Sequence, residues 1–537
     1  MTSARWWGWL EPRRVRPLSP AAIARLEEEL GGPLPLTPPV ALDAVDVPPP
    51  QLPAGFEQRL RETAAVATDR LARVGHAAGK GYVDLMRMRS GDATDAPDAV
   101  VFPGSAEEVA ATLELCSRQR VAVIPFGGGT SVVGGVTPVR NRCEAAISLD
   151  LERLDRLVVD RTSLTATFGP GLRGPRAEAR LQARGLTLGH FPQSFELATI
   201  GGYVATRSAG QASTGYGRID DLVHGLRLVA PAGELRAADV PASAAGPSLR
   251  ELVVGSEGAL GAIVEATLSV RPLPERRRYE GWSFETFAEG ADALRTLVQA
   301  GEEPDVARLS DADETRLTFA LGSTGSVAAR AGRMYLRARG HANGCLAILG
   351  FEGDAHGVDR RRRNVAARLR GRGAVALGTR PGSAWLASRY AGPYTRDELL
   401  DRGLIVETLE TAATWTRLDG LYRAVGDAIR PTLAPALVGC HVSHLYADGA
   451  SLYFTFIARA DRERPLEQWR AVKRAASDAI VAHGGTITHH HGVGRDHLPW
   501  MRDEVGELGI DVLAAAKARL DPAGVMNPGK LLPVDHA

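Results

Sequence analysis

The chain has 537 residues, 44% of them hydrophobic and 24% charged, with a formal net charge of +1 at pH 7. That length exceeds what one hydrophobic core serves, so two or more domains are expected, and the composition excludes disorder over most of the chain. Near-neutrality gives no electrostatic basis for nucleic-acid binding, and four widely spaced cysteines (Cys116, Cys143, Cys345, Cys440) without a CxxC pair argue against structural zinc, iron–sulfur clusters and a disulfide scaffold.

The chain opens with RWWGWL, whose Trp6, Trp7 and Trp9 either touch lipid or plug the protein's own surface. No signal peptide and no apolar run long enough to span a bilayer is visible, which points to a cytoplasmic protein with peripheral membrane contact left open. Residues 18–30 read as a helix with Ser19 at its cap and Pro20 at its first position. Proline is dense over residues 33–53, a linker or wrapping segment, and residues 57–75 read as a second helix. From residue 99 the texture changes to short β-like runs between glycine-rich turns. Strands are expected at residues 99–102, 121–125, 145–149, 164–168, 225–229 and 263–270, with a Ser105-capped helix over 105–118 and another over 176–184. Beyond Pro272 longer helical patterns dominate to about residue 474, with strands at 345–351 and 451–457. Glycine and histidine motifs return in the last segment. The expected organisation is an N-terminal helical and extended segment (1–94), a glycine-rich α+β domain (95–272), an α+β cap (273–478) and a C-terminal segment that returns to the site (479–537).

Three glycine-rich segments carry the first chemistry. Pro125-Phe-Gly-Gly-Gly-Thr-Ser131 follows a strand directly. Gly127, Gly128 and Gly129 let backbone amides approach an anion, and Thr130 and Ser131 add hydroxyls. The contiguous glycines distinguish this loop from a GxGxxG dinucleotide turn, and no Lys-Ser/Thr follows as in a P-loop. The second segment runs from His190 through Ser194, Thr199, Gly201 and Gly202 to Thr206 and Ser208, and the third spans Glu257, Gly258, Gly261 and Ile263. Three such turns beside strands suit a ligand as long as a dinucleotide.

In this order the segments PFGGGTSVVGG, TIGGYVATRSAG and GSEGALGAI resemble the FAD-binding domain of the vanillyl-alcohol oxidase type flavoenzymes, over the chain from residue 98 to its end. RWWGWL, GYVDLMRMRSGD (81–92), residues 349–353 and above all Thr488-His-His-His-Gly-Val-Gly494 are similar to the alkylglycerone-phosphate synthase family, and with them the resemblance covers nearly the whole chain. It implies a two-part FAD-binding fold with an α+β cap, FAD held non-covalently by the three segments, and a homodimer. It implies exchange of the acyl group of acyl-dihydroxyacetone phosphate for a fatty alcohol, through a transient bond from flavin N5 to the substrate carbon and without net redox. The alternative is an FAD-dependent oxidoreductase, a dehydrogenase or oxidase of a D-2-hydroxy acid or another alcohol; relatives of that kind place a glutamate before a histidine where this chain has three histidines.

Three consecutive histidines on one loop cannot all face one way, so one or two are expected at the flavin and the third turned aside. The resemblance makes His490 and His491 the catalytic pair and leaves His489 with the cofactor-side residues. Histidine near neutral pKa can shuttle the proton of an alcohol. Tyr453 sits in the alternating run ASLYFTF, which points it inward with Ser451 and Thr455, and it matches the family's catalytic tyrosine. Arg308 ends a short strand-like run and can grip a carboxylate or phosphate through its planar fork. His190 could bond flavin or substrate, or serve as a structural histidine. Where the family has an arginine after cysteine, this chain reads Cys440-His441-Val-Ser-His444. His441 and His444 are expected in the substrate pocket; with one of His489–His491 they could bind a divalent metal, but no acidic ligand joins them and no metal set is assigned. The missing arginine puts a phosphate-bearing substrate in question.

Overall fold

The strand Ala145–Asp150 is buried along its whole length and pairs in parallel with Ala99–Phe102 on one side and Val121–Phe126 on the other. The helix Ala106–Gln119 makes the crossover, capped by Ser105, whose side chain accepts from the Glu108 amide at 3.2 Å. In this computed structural model, which describes residues 6–9, 17–321 and 327–533, the strand Ala65–Ala67 completes a four-stranded sheet. The expected helix over 57–75 is therefore divided into Phe56–Thr63 and Arg70–Gly75. Asp69 starts the second piece by accepting from the Ala72 amide, and Ala65-Val66-Ala67 between them pairs with the strand Ala99–Phe102 instead of continuing the helix.

A second, antiparallel sheet follows, ordered Leu157–Asp160, Thr165–Phe168, Ala262–Ser269, Val223–Ala230, Gly233–Ala237. The strand Val121–Phe126 ends in the glycine loop 127–129, and Ala262–Ser269 begins directly after the turn that contains Glu257 and Gly258. The C-terminal residues return here. Val123 donates to Val525 O and accepts from the Asn527 amide, both at 2.8 Å, and the Asn527 side-chain amide donates to Gly135 O and Glu257 O.

The third sheet has seven antiparallel strands, ordered Val375–Gly378, Arg276–Phe284, Cys345–Gly353, Val306–Ser310, Ala436–Leu445, Gly449–Arg459, Leu404–Thr414. Sequence patterning identified few of these strands, because only one face of the sheet is uniformly apolar. Val438, Cys440 and Val442, with Leu452, Phe454 and Phe456, enter a large core cluster. On it pack the helices Phe287–Val298, Ala355–Gly371, Trp415–Leu433 and Pro465–Ala482, through residues such as Leu294, Val365, Leu421 and Val472. The alternate side chains face the other way, as a period of two requires.

At the N-terminus Trp7 and Trp9 are buried in the protein's own surface. The Arg89 guanidinium lies 4.4 Å from the Trp7 ring centre, and the Trp9 amide donates to Asp397 at 2.7 Å. Arg5 and Leu10 of RWWGWL, and residues 534–537, lie outside the described residues. All four cysteines are free and buried. No described helix is long and apolar enough to cross a membrane.

Candidate active site

A cavity of about 530 Å³ opens between the glycine loops and the second face of the seven-stranded sheet. Pro125, Gly127–Ser131, Ser194, Thr199, Gly201, Gly202, Thr206, Ser208, Glu257, Gly258, Gly261 and Ile263 all line it. Gly128 has no room for a side chain, since a Cβ there would lie 2.2 Å from Leu197 O, and Gly129 turns the loop at φ +63°. Among the described residues, the backbone amides from Gly128 to Val132 find no protein acceptor. A run of free amides on a cavity wall is a ready anion nest, and it fits the pyrophosphate of FAD. Glu257 lines the same cavity. It accepts from the Gly494 amide at 2.8 Å, and burial pushes its carboxyl up to about 7 against the pull of the Gly494 and Val493 amides.

The opposite wall is the sheet face. Arg308, His441, Ser443, Thr408, Tyr453 and Thr455 alternate with core residues on four strands and line the cavity. Register brings them together: His441 is the cross-strand partner of Tyr453, and their rings stack 4.9 Å apart. Burial raises the Tyr453 phenol to about 12, opposed by a hydrogen bond with Thr408. Nη2 of Arg308 donates to Glu314 Oε1 at 2.7 Å, and the same oxygen is 3.0 Å from Nδ1 of His441. Burial would raise the Glu314 carboxyl, but Arg308 and His441 bring it down to about 2; burial and Arg308 lower His441 against Glu314.

The histidine loop is organised by a residue that sequence reading missed. Glu410, the register partner of Tyr453 on its other side, has a fully buried carboxylate. It accepts from the amides of His489 (2.6 Å), His490 (3.0 Å) and His491 (2.8 Å) and from the Thr488 hydroxyl (2.8 Å). Burial would raise it, yet the three imidazoles and these donors hold it well below the usual carboxylate range. The available signal was a second acid in an otherwise apolar and threonine-rich strand, Leu404–Thr414, since a buried charge needs partners.

His490 and His491 line the cavity, 6.0 and 5.6 Å from the Tyr453 ring centre. Burial lowers His490 to about 4 despite Glu410, so it is neutral and can accept a proton. His489 and His190 lie behind the wall, not on it. His489 bonds Tyr446 Oη through Nε2 (2.6 Å) and His490 through Nδ1 (2.9 Å), and His190 bonds the Ser208 hydroxyl (2.7 Å) with its Nδ1 unpartnered. His444 lines the cavity but is braced by Ser443, Ser451 and Gly210 O. One nitrogen each of His444, His489 and His490 lie within 4.8 Å of one another, a different trio from any that includes His441. Leu317, Leu399, Val406 and Ile457 give the cavity an apolar patch, backed by Leu26 of the helix Pro20–Glu29 and by Leu30, which caps its C-terminus, and Trp9 adds to the lining.

Two family models match the chain, an FAD binding domain over residues 97–239 and the C-terminal domain of FAD linked oxidases over residues 273–531. An alkyldihydroxyacetonephosphate synthase of Dictyostelium discoideum is 36% identical over 512 residues, covering 93% of this chain and 84% of the relative. The solved structure of an alkyldihydroxyacetonephosphate synthase superposes with a TM-score of 0.85 at 32% identity, over 98% of both chains. A p-cresol methylhydroxylase structure shares the fold alone, with a TM-score of 0.69 at 16% identity over 90% of this chain and 98% of that one. The chain is an FAD-binding enzyme of this two-part fold, and it belongs to the alkyldihydroxyacetonephosphate synthase family.

Proposed function

We propose that the protein exchanges the acyl group of an acyl-dihydroxyacetone phosphate for a long-chain alcohol, the activity named for its relatives. The observation that carries this reading is one cavity with three kinds of wall: an anion nest for FAD, a His490–His491–Tyr453 face, and an apolar patch suited to an aliphatic chain. Residues 95–272 with 479–537 then hold the cofactor, and residues 273–478 the substrate. Bound FAD supplies the electron-rich ring on which the exchange depends. The exchange breaks the carbon–oxygen bond to a departing carboxylate and makes one to the alcohol oxygen, so the alcohol must lose a proton. His490 and His491, kept neutral by burial, accept it. Tyr453, protonated throughout the neutral range, donates a hydrogen bond to a substrate oxygen. Peripheral contact with a membrane, a cytoplasmic site and a homodimer complete this reading, since substrates with aliphatic chains partition into lipid. Incubating flavin-replete protein with acyl-dihydroxyacetone phosphate and labelled hexadecanol tests it: an alkyl ether product is expected, and its absence under all conditions rejects the reading.

The second reading, oxidation of a D-2-hydroxy acid or another alcohol, draws on the titratable His441 in the pocket. It requires substrate to bleach the flavin band near about 450 nm anaerobically, whereas the exchange reaction leaves no net bleaching.

A further inference from the structure

Arg308 enters the cavity with its charge already answered. Glu314, 8% exposed at the start of the helix Ala312–Leu321, offers one carboxylate oxygen to both Arg308 and His441. Its other oxygen is buried and unpartnered. Ser310 and His441 are register partners, so the strand that bears Arg308 and the strand that bears His441 are locked side by side behind this oxygen. Among the described residues, Arg308 donates to the protein through Nη2 alone, and Nδ1 is the His441 nitrogen that Glu314 takes, which leaves Nε2 for the cavity.

The charge count follows. A guanidinium is always charged, and a carboxylate between it and an imidazole N–H stays ionised. With His441 neutral the trio sums to zero and holds an anion poorly; with His441 protonated it carries one positive charge. The other titratable groups around His441 do not supply that charge. Tyr453 on the adjacent strand and Cys440 on its own are neutral acids with raised pKa values. Asp311 can only add negative charge, and it is occupied by the amides of Glu314 and Cys440 and by the Tyr422 hydroxyl. His490, on the C-terminal loop, is held by Glu410 and His489.

We propose that Arg308, Glu314 and His441 form a proton-dependent clamp for an anionic substrate head group, a phosphate or carboxylate, in which His441 takes up a proton as the anion binds. The proposal rests on reading this cavity as the substrate site. Glu314 is its positioning residue: it presents Nε2 of His441 to the anion and cancels Arg308 until the proton arrives. Linkage makes such binding weaken about tenfold per pH unit once His441 is neutral in the free protein.

Sulfate, whose charge is constant over the neutral range, is the probe. Its binding to FAD-loaded protein is measured by titration calorimetry in buffers of different ionisation heat, and its Kd from pH 7 to pH 8. Uptake of close to one proton and a Kd rising about tenfold per pH unit are expected. His441→Asn should abolish the uptake, and Glu314→Gln, which frees the Arg308 charge, should tighten sulfate at pH 8 by about tenfold or more. Flavin absorbance reports whether each variant is folded; if His441→Asn is not, the wild-type uptake and the Glu314→Gln affinity decide. Failure of sulfate to bind, binding without proton uptake, uptake that survives His441→Asn, or an unchanged affinity in Glu314→Gln overturns the clamp. Sulfate undergoes no transfer, so this outcome is independent of whether the alkyl exchange is observed.

Discussion

Replacing Glu410 by glutamine keeps the side chain's shape and removes its charge. The carboxylate gathers four donors, the amides of His489, His490 and His491 and the Thr488 hydroxyl, at 2.6 to 3.0 Å. Hydrogen bonds to a charged group contribute about 1.5–3 kcal/mol each, and a glutamine turns an NH₂ toward donors that need an acceptor. Three of the donors meet Oε1 and one meets Oε2, so a glutamine that keeps its oxygen at the Oε1 position loses the His489 bond outright and the charge assistance of the other three, and local stability should fall by about 2–4 kcal/mol. At about 1.36 kcal/mol per factor of ten, that is an acceleration of about 30- to 900-fold in hydrogen exchange at the amides of residues 489–491. Mass-spectrometric exchange on the flavin-loaded variant measures it, with the core strand Gly449–Arg459 as internal reference. Acceleration below about threefold would show that the loop is held by something other than this carboxylate. The pH dependence has a definite direction. The folded pKa of Glu410 is depressed, so its contribution is present above the ordinary carboxylate pKa and is lost only as pH falls through the lower folded value; the loop should stay protected through pH 5 and loosen in stronger acid.

Tyr453→Phe should lower turnover by about a hundredfold or more while flavin content is unchanged, because a single hydrogen-bond donor to the reacting group is lost; normal turnover removes Tyr453 from the chemistry. Gly128→Val places a Cβ 2.2 Å from Leu197 O and should yield colourless protein, so a full flavin spectrum in that variant would mean that the loop is not the pyrophosphate cradle. Glu257 has a folded pKa raised to about 7, so its contribution to the apoprotein is present below the unfolded value near about 4.3 and is lost as pH rises through 7. The wild-type thermal midpoint should decline over that window relative to Glu257→Gln, and parallel profiles for the two proteins would contradict the assignment.

The cofactor half of the molecule was legible because its chemistry is local in sequence. A contiguous Gly127–Gly129 run after a strand, the TIGG segment and the GSEG turn each carry their reason in adjacent residues, and all three meet on one cavity. The Ser105 cap and the buried strand Ala145–Asp150 were readable on the same grounds. The seven-stranded sheet was mostly not. Ala436–Leu445 places Val438, Cys440 and Val442 on one face and His441 and Ser443 on the other, and Leu404–Thr414 carries an acid and a threonine on each face, so both read as polar irregularity until something is known to lie against them.

What the sequence alone determined is therefore the FAD-binding class, the family, and the residue types brought to the reaction, because glycine conformational freedom and histidine chemistry act within a few residues of one another. Only the tertiary structure decided which of three adjacent histidines turn toward the cavity, that Glu410 gathers their amides, and that Glu314 stands between Arg308 and His441. Apart from Arg308 and Glu314, which are six residues apart, those pairings join residues far apart in the chain through strand register and burial. A buried charge selects its partners by distance and dielectric, and neither quantity exists until the sheet has formed.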